Sequence, residues 1–138
     1  MSKLLGLDYG DRWIGVAVTD EAQQHAFARQ AIDQRFYPEP LDVLQQCIEE
    51  EKIEKIILGL PYRNDGSEGD QAARVRVFGL RCEQMFHLPV AWVDERMSSQ
   101  AADRLLIASE RTGLQGSGTQ DSLAAAMILQ QYCDQQRV

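Results

Sequence analysis

Apolar positions along the chain keep two rhythms, and the switches between them outline the fold. Lys3-Leu4-Leu5-Gly6-Leu7-Asp8-Tyr9-Gly10 is an apolar run that ends on a carboxylate and then turns on a glycine. A continuous apolar run bounded by a turn signal predicts a strand buried on both faces, because a strand with one wet face would alternate. Trp13-Ile14-Gly15-Val16-Ala17-Val18 repeats the pattern a few residues later, which predicts a hairpin whose second strand ends at Asp20. The looser alternation of Ala26 to Ile32 predicts a third strand at the edge of the sheet.

Pro38 and Pro40 then interrupt, and Leu41, Leu44 and Ile48 recur at helical spacing up to the acidic run Glu49-Glu50-Glu51. Ile53, Ile56, Ile57 and Leu58 predict the next strand, stopping at Gly59-Leu60-Pro61. A strand, a helix and a strand make a parallel crossover. Ser67-Glu68-Gly69-Asp70 has the form of a capping box, and Ala72, Val75, Phe78, Cys82 and Met85 continue it as one apolar stripe until Pro89. Val90 to Val93 predict a fifth strand ending at Asp94-Glu95. Ser98 or Ser99 can cap a further helix carrying Ala102, Leu105 and Leu106. Arg111 to Gln120 read as a loop, and Asp121 opens a last helix with Ala125, Ile128 and Tyr132 on one face. The expected fold class is α/β: a mixed five-stranded sheet, antiparallel hairpin strands first and parallel crossovers after, with helices on both faces.

Composition changes this picture little. The 138 residues suit a single domain, spanning 1–138, with a core that needs neither disulfides nor metals. Cys47, Cys82 and Cys133 lack the close spacing of zinc ligands and fall in helical patterns, so they are expected as buried, reduced thiols. The N-terminal apolar run breaks at Asp8, which argues against a signal peptide, and Leu123 to Leu129 is too short to span a bilayer. A cytoplasmic protein is expected. The formal net charge of −7 argues against nucleic acid unless cations or a local basic patch intervene. Arg63, Arg74, Arg76, Arg81, Arg96, Arg104 and Arg111 could supply such a patch.

The candidate chemistry lies in three acids. In the expected topology Asp8 and Glu95 sit at strand carboxyl ends, the edge where open sheets bind ligands, and Asp121 lies on the inward face of a helix's first turn. Carboxylates converging there suit Mg²⁺, which takes oxygen ligands, keeps several waters and accepts substrate phosphate. The implied reaction is metal-assisted phosphodiester hydrolysis. Each acid also has an ordinary use: Asp8 in its turn, Glu95 paired with Arg96, Asp121 as a helix cap. Three such uses at one sheet edge would be a coincidence.

The motifs Leu7-Asp8-Tyr9-Gly10 through Ile14-Gly15-Val16-Ala17-Val18-Thr19-Asp20, Gly59-Leu60-Pro61 with Asn64-Asp65-Gly66, Asp94-Glu95-Arg96-Met97-Ser98, and Asp121 before Ala124-Ala125 resemble the YqgF family in order and spacing. That family, also called RuvX, has an RNase H-like fold and is similar to the RuvC Holliday-junction resolvases. The resemblance covers nearly the whole chain. It implies a nuclease maturing the 5′ end of pre-16S ribosomal RNA, with Asp8, Glu95 and Asp121 as catalytic residues and metal ligands. Mg²⁺ or Mn²⁺, as two ions, would be the cofactor, with Asp94 as an auxiliary ligand. Gly59, Leu60, Pro61, Asn64 and Gly66 would shape the rim of the groove. Arg12, Arg63, Asn64, Arg74 and Arg96, with Arg76 beside them, are the candidate phosphate contacts. Partners expected are structured RNA, branched DNA in the resolvase alternative, and ribosome-assembly intermediates; a monomer or weak homodimer is expected, and no membrane.

Two positions depart from the family pattern. Asp11 stands where a small hydroxyl residue is usual, and Gly116-Ser117-Gly118-Thr119-Gln120 lacks the usual lysine. Both disfavour nucleic-acid affinity, which keeps open a non-catalytic RNA-binding role. The Asp8-to-Gly15 hairpin also resembles the phosphate hairpin of the actin and hexokinase superfamily, but those proteins clamp nucleotide between two domains.

Overall fold

The computed structural model describes residues 2–95 and 118–136. Its strands are β1 (Lys3–Tyr9), β2 (Trp13–Thr19), β3 (Ala26–Asp33), β4 (Ile53–Leu60) and β5 (Val90–Asp94), in one sheet of order β3-β2-β1-β4-β5. The pairs β1–β2 and β2–β3 are antiparallel, and β1–β4 and β4–β5 are parallel. The mixed sheet expected from the apolar runs is the one observed. The helices among the described residues are α1 (Pro40–Glu51), α2 (Asp70–Phe86) and α3 (Thr119–Gln136). The helix expected from Ser98 or Ser99, and Arg96, lie outside the described residues.

Both faces of the sheet are covered, which is why β1 and β2 read as unbroken apolar runs. Alternation then decides which helix each residue meets. Leu5 and Leu7 of β1 join Ile56, Leu58 and Leu60 of β4 in a core with Leu41 and Leu44 of α1 and Ala72, Val75, Phe78 and Cys82 of α2. Leu4, Ala17, Ile57 and Val93 face the other way, against Leu123, Ala125, Ala126, Ile128 and Leu129 of α3. By the same count Tyr9 goes to the α2 side, where its ring stacks on Phe78 with centroids 4.3 Å apart. Asp8 goes to the α3 side.

Three local expectations are corrected. Helix α2 begins at Asp70 with Gly69 as its N-cap and no side-chain cap, because Ser67 donates instead to Asp65 and Glu68 is taken by Arg76. Met85 is 40% exposed and off the buried stripe; Phe86 packs against the core in its place. The helix stops two residues before Pro89, where His87 turns left-handed at φ 56° and its N–H bonds the Glu83 carbonyl. Among the cysteines, Cys82 and Cys133 are buried and Cys47 is half-buried, and each is a thiol outside any disulfide. Burial pushes the Cys82 thiol up to about 12, so it stays protonated and inert.

Candidate active site

The carboxyl ends of β1, β4 and β5 meet at one sheet edge, and the first turn of α3 comes down onto the same edge. Asp8 and Glu95 share a side-chain hydrogen bond there. Glu95 follows β5 and continues its ladder, its N–H bonding the Leu60 carbonyl at 3.2 Å. Two missing side chains make the arrangement possible. A Cβ on Gly59 would overlap the Glu95 carboxylate and the Ile128 methyl, and one on Gly15 would overlap the Asp121 carbonyl. Gly15 is the cross-strand partner of Asp8, so the contact that seats Asp121 also sets it beside Asp8.

Gly15 lies where the β2–β3 register slips between Ile14 and Val16. Such a bulge frees a ladder group. Here the Val16 N–H donates to the buried Ser122 hydroxyl at 3.2 Å, which ties the first turn of α3 to the sheet. Asp121 is the third residue of α3, inside its first turn, so the simple cap envisaged for it is not its position. Asp94, the cross-strand partner of Leu60, alternates toward the α2 side of the sheet, opposite Asp8, and acts on Glu95 as a nearby negative charge.

Electrostatics at the edge follow from this crowding. Burial, then the charge of Asp8, then the hydrogen bond push Glu95 up to about 8. Burial also raises Asp8, with the Asp121 charge adding to it, while the hydrogen bond from Glu95 works the other way. Burial raises Asp121. Glu95 therefore holds a proton and donates it to the Asp8 carboxylate. Among the described residues no three His, Cys, Asp or Glu side chains are grouped closely enough to hold a metal ion by themselves. Two touching carboxylates with a third in electrostatic range nonetheless fit a cation such as Mg²⁺, which is usually held by one or two carboxylates plus phosphate and water.

The candidate phosphate contacts are mostly engaged already. Arg12 pairs with Asp33 at 3.2 Å and lies over the Trp13 ring, 4.8 Å from its centroid. Arg74 pairs with Asp11 at 3.1 Å, so the extra acid in the β1–β2 turn is met by a cation from α2. Arg76 makes two bonds to Glu68 and lies over Trp92. Arg63 rests against Gly69, and Asn64 is exposed in the turn that Gly66 closes at φ 86°. A cavity of about 350 Å³ lies at the opposite sheet edge, lined by Leu4, Lys55, Pro89 and Tyr132 among others. It is remote from the acids, which sit on an open edge suited to a large substrate.

The RuvX family, described as Holliday junction resolvase, matches residues 2–135. The chain belongs to the RuvX family. It is similar to proteins named "Putative pre-16S rRNA nuclease": that of Halothermothrix orenii is 37% identical over 134 residues, covering 97% of this chain and 96% of the relative. The Mesorhizobium japonicum relative is 40% identical over 131 residues, covering 95% and 79%. Two solved structures share the fold. Thermus thermophilus RuvC with a Holliday junction substrate matches with TM-score 0.60 at 14% identity, covering 99% of this chain and 97% of the other. The Fowlpox virus resolvase with Holliday junction DNA matches with TM-score 0.63 at 13% identity, covering 99% of both. These likenesses show the RNase H-like fold.

Sequence reasoning about this RuvX chain missed Gly15, Ser122 and Asp33. A glycine inside a strand is the available signal for close backbone approach. Asp33, 7% exposed, ends β3 beside the β1–β2 turn. Burial works against its ionisation, yet bonds from Arg12 and the Arg35 N–H hold its carboxyl below the usual range.

A pH dependence follows for the metal-free RuvX chain. Glu95 keeps its proton to about 8 when folded but loses it near 4.5 when unfolded, so between those values the folded state binds more protons. Stability should therefore fall as pH rises from about 4.5 to about 8. Glu95→Gln should flatten that slope and raise stability at pH 8 by roughly 1–2 kcal/mol after allowance for partial solvent exposure. Melting curves in EDTA across this range check it; an identical slope in both proteins would refute the shared proton.

Proposed function

We propose that this chain is a divalent-cation-dependent nuclease that hydrolyses RNA phosphodiester bonds in maturation of the 16S ribosomal RNA 5′ end. Asp8, Glu95 and Asp121 would be its metal ligands, with Mg²⁺ or Mn²⁺, two ions, as cofactor. The observation that carries this is the hydrogen-bonded pair Asp8–Glu95 at the sheet's carboxyl edge, with the charge of Asp121 bearing on it. A bound divalent cation supplies a water of lowered pKa and offsets charge on the leaving oxygen.

The chain's own residues prepare that chemistry. Glu95 holds the proton it shares with Asp8 and would have to release it to serve beside Asp8 as a carboxylate ligand. Gly59 and Gly15 leave the room that lets Glu95 and Asp121 approach Asp8. Arg63 and Asn64 stand exposed on the turn that follows β4 and can meet phosphate directly. Arg74 reaches phosphate by exchanging its partner Asp11, which costs little at a pair exposed on both sides, while Arg12 keeps its bond to buried Asp33 and offers phosphate the exposed part of its guanidinium.

RNA is favoured over junction DNA because the relatives named as pre-16S rRNA nucleases are 37–40% identical across nearly the whole chain. The resolvase structures are similar in fold. Ribosome-assembly intermediates in a bacterial cytoplasm are the setting that follows from this proposal. Among the described residues no helix is long and apolar enough to cross a membrane.

The test offers the protein a 16S precursor with its 5′ leader and, separately, a four-way DNA junction. Mg²⁺ or Mn²⁺ should permit shortening of the leader, EDTA should stop it, and the junction should stay intact. Junction cleavage with an untouched precursor would reassign the substrate; cleavage of neither would overturn the proposal.

A further inference from the structure

Beside the carboxylates, at the same sheet edge, two large aromatic rings stand in water. Phe36 is 73% exposed and Tyr37 is 51% exposed, in the loop that leaves β3. Exposed rings on a floppy loop would be unremarked surface, but this loop is tied at each residue from Gln34 to Tyr37. The Phe36 and Tyr37 N–H groups both donate to the Asp33 carbonyl, at 3.0 and 3.1 Å, and the Arg35 N–H donates to the Asp33 carboxylate at 3.0 Å. The Gln34 N–H bonds the Arg12 carbonyl at 2.8 Å, and its side-chain amide bonds the Gly10 carbonyl at 2.7 Å. The loop is thereby fastened to the β1–β2 turn, one residue beyond the strand that carries Asp8.

Cations flank the rings. The Arg35 guanidinium lies 5.8 Å from the Phe36 centroid, and Arg12 lies over the neighbouring Trp13. Both arginines share buried Asp33, which aims them without covering them: their side chains remain 59% and 44% exposed. The strand β3 is two sheet positions from β1, roughly 10 Å. That is a few nucleotides along a stacked strand.

We infer that Phe36 and Tyr37 form a stacking platform for an unpaired base of the RNA that flanks the scissile phosphate, with Arg12 and Arg35 holding the adjoining phosphates. The inference rests on the nucleic-acid reading of the site. Single-stranded RNA is recognised by stacking its splayed bases on aromatic rings and guanidinium planes, and a platform already rigid in the free protein loses little entropy on binding. The class of substrate this selects is RNA with a single-stranded segment next to the cut, in preference to a fully paired helix whose bases cannot reach the rings. Asp33 is a positioning residue in this scheme.

The experiment measures binding by fluorescence anisotropy to a labelled RNA hairpin with a single-stranded 5′ extension, to the same hairpin blunt-ended, and to the extended hairpin with abasic sites. Ca²⁺ replaces Mg²⁺, because its larger and looser coordination satisfies carboxylates without the octahedral geometry of Mg²⁺; a gel verifies that the RNA stays intact. Phe36→Ala should weaken binding of the extended hairpin by about 5- to 150-fold, the range for loss of stacking on one ring. Phe36→Trp should restore it. Blunt-hairpin affinity should be unchanged by Phe36→Ala, and abasic sites should make wild type and variant equal. Melting temperatures of the variants, whose substitution is at the surface, establish that they fold. Equal affinity of wild type and Phe36→Ala for the extended hairpin, or an equal loss on the blunt one, overturns the inference. Cleavage assayed in parallel keeps the two ideas apart: base-dependent binding without any cleavage in Mg²⁺ supports the platform and refutes the nuclease, and cleavage indifferent to Phe36 does the reverse.

Discussion

Gly15→Ala is expected to destabilise the protein by at least about 3 kcal/mol, well beyond ordinary overpacking, and to lower its melting temperature by roughly 10 °C. The sign is informative, because alanine inside a strand is usually better than glycine by about 0.5–1 kcal/mol. Here the added methyl would overlap the carbonyl carbon and oxygen of Asp121 and stand 2.9 Å from the Ser122 nitrogen. These are backbone atoms of a helix, so no side chain can swing aside. Helix α3 must lift from β2, losing the Val16-to-Ser122 hydrogen bond and the burial of Leu123 and Ala126. Asp121 would leave Asp8 in the same movement, so cleavage should fall further than stability alone explains. Urea denaturation of both proteins, with cleavage measured below the transition, checks this. Gly10→Ala serves as a comparison, since its methyl would meet only the Trp13 carbonyl at 3.0 Å. A cost for Gly15→Ala under about 1 kcal/mol would mean that α3 does not rest on this glycine.

What the amino-acid pattern made legible was the sheet. Runs such as Leu4 to Leu7 and Ile56 to Leu60 are apolar on both faces, and that double burial marked central strands and their order of crossover. The same feature hid which way each residue points. Because Leu4 and Leu5 are equally apolar, no periodicity showed that Asp8 falls on the α3 side and Asp94 on the other. Helix starts were harder, since a capping box and an aspartate turn use the same residue types; Ser67 chose Asp65. The ion pairs were beyond reach for another reason. Arg74 and Asp11 are 63 positions apart and meet only because the first turns of α2 lie over the β1–β2 turn. Candidate phosphate contacts were visible as arginines, but their acidic partners were not. Asp33 read as the end of an edge strand, and its hold on two arginines and a turn belongs to tertiary structure.

Asp8→Asn separates chemistry from folding at the centre of the site. Asparagine keeps the size and hydrogen-bonding reach of the side chain while removing its charge. The lost charge is one that burial and Asp121 both oppose, so at pH 8 in EDTA the variant should melt no lower than wild type. As a ligand to a hard cation, however, a neutral amide is a poor substitute for a carboxylate. Cleavage should fall on the order of 10³-fold or more, about 4 kcal/mol of transition-state stabilisation. An increase in stability with a loss of activity is the expected signature of a residue held for function at a cost to the fold.

The decisive measurement is single-turnover cleavage of the 16S precursor leader in Mg²⁺ by wild type and Asp8→Asn, beside the melting temperature of each. Cleavage by wild type and its near-abolition in a variant that melts at or above the wild-type temperature is the expected result. Cleavage by Asp8→Asn within about tenfold of wild type, less than 1.4 kcal/mol, would contradict a role for this carboxylate in the reaction.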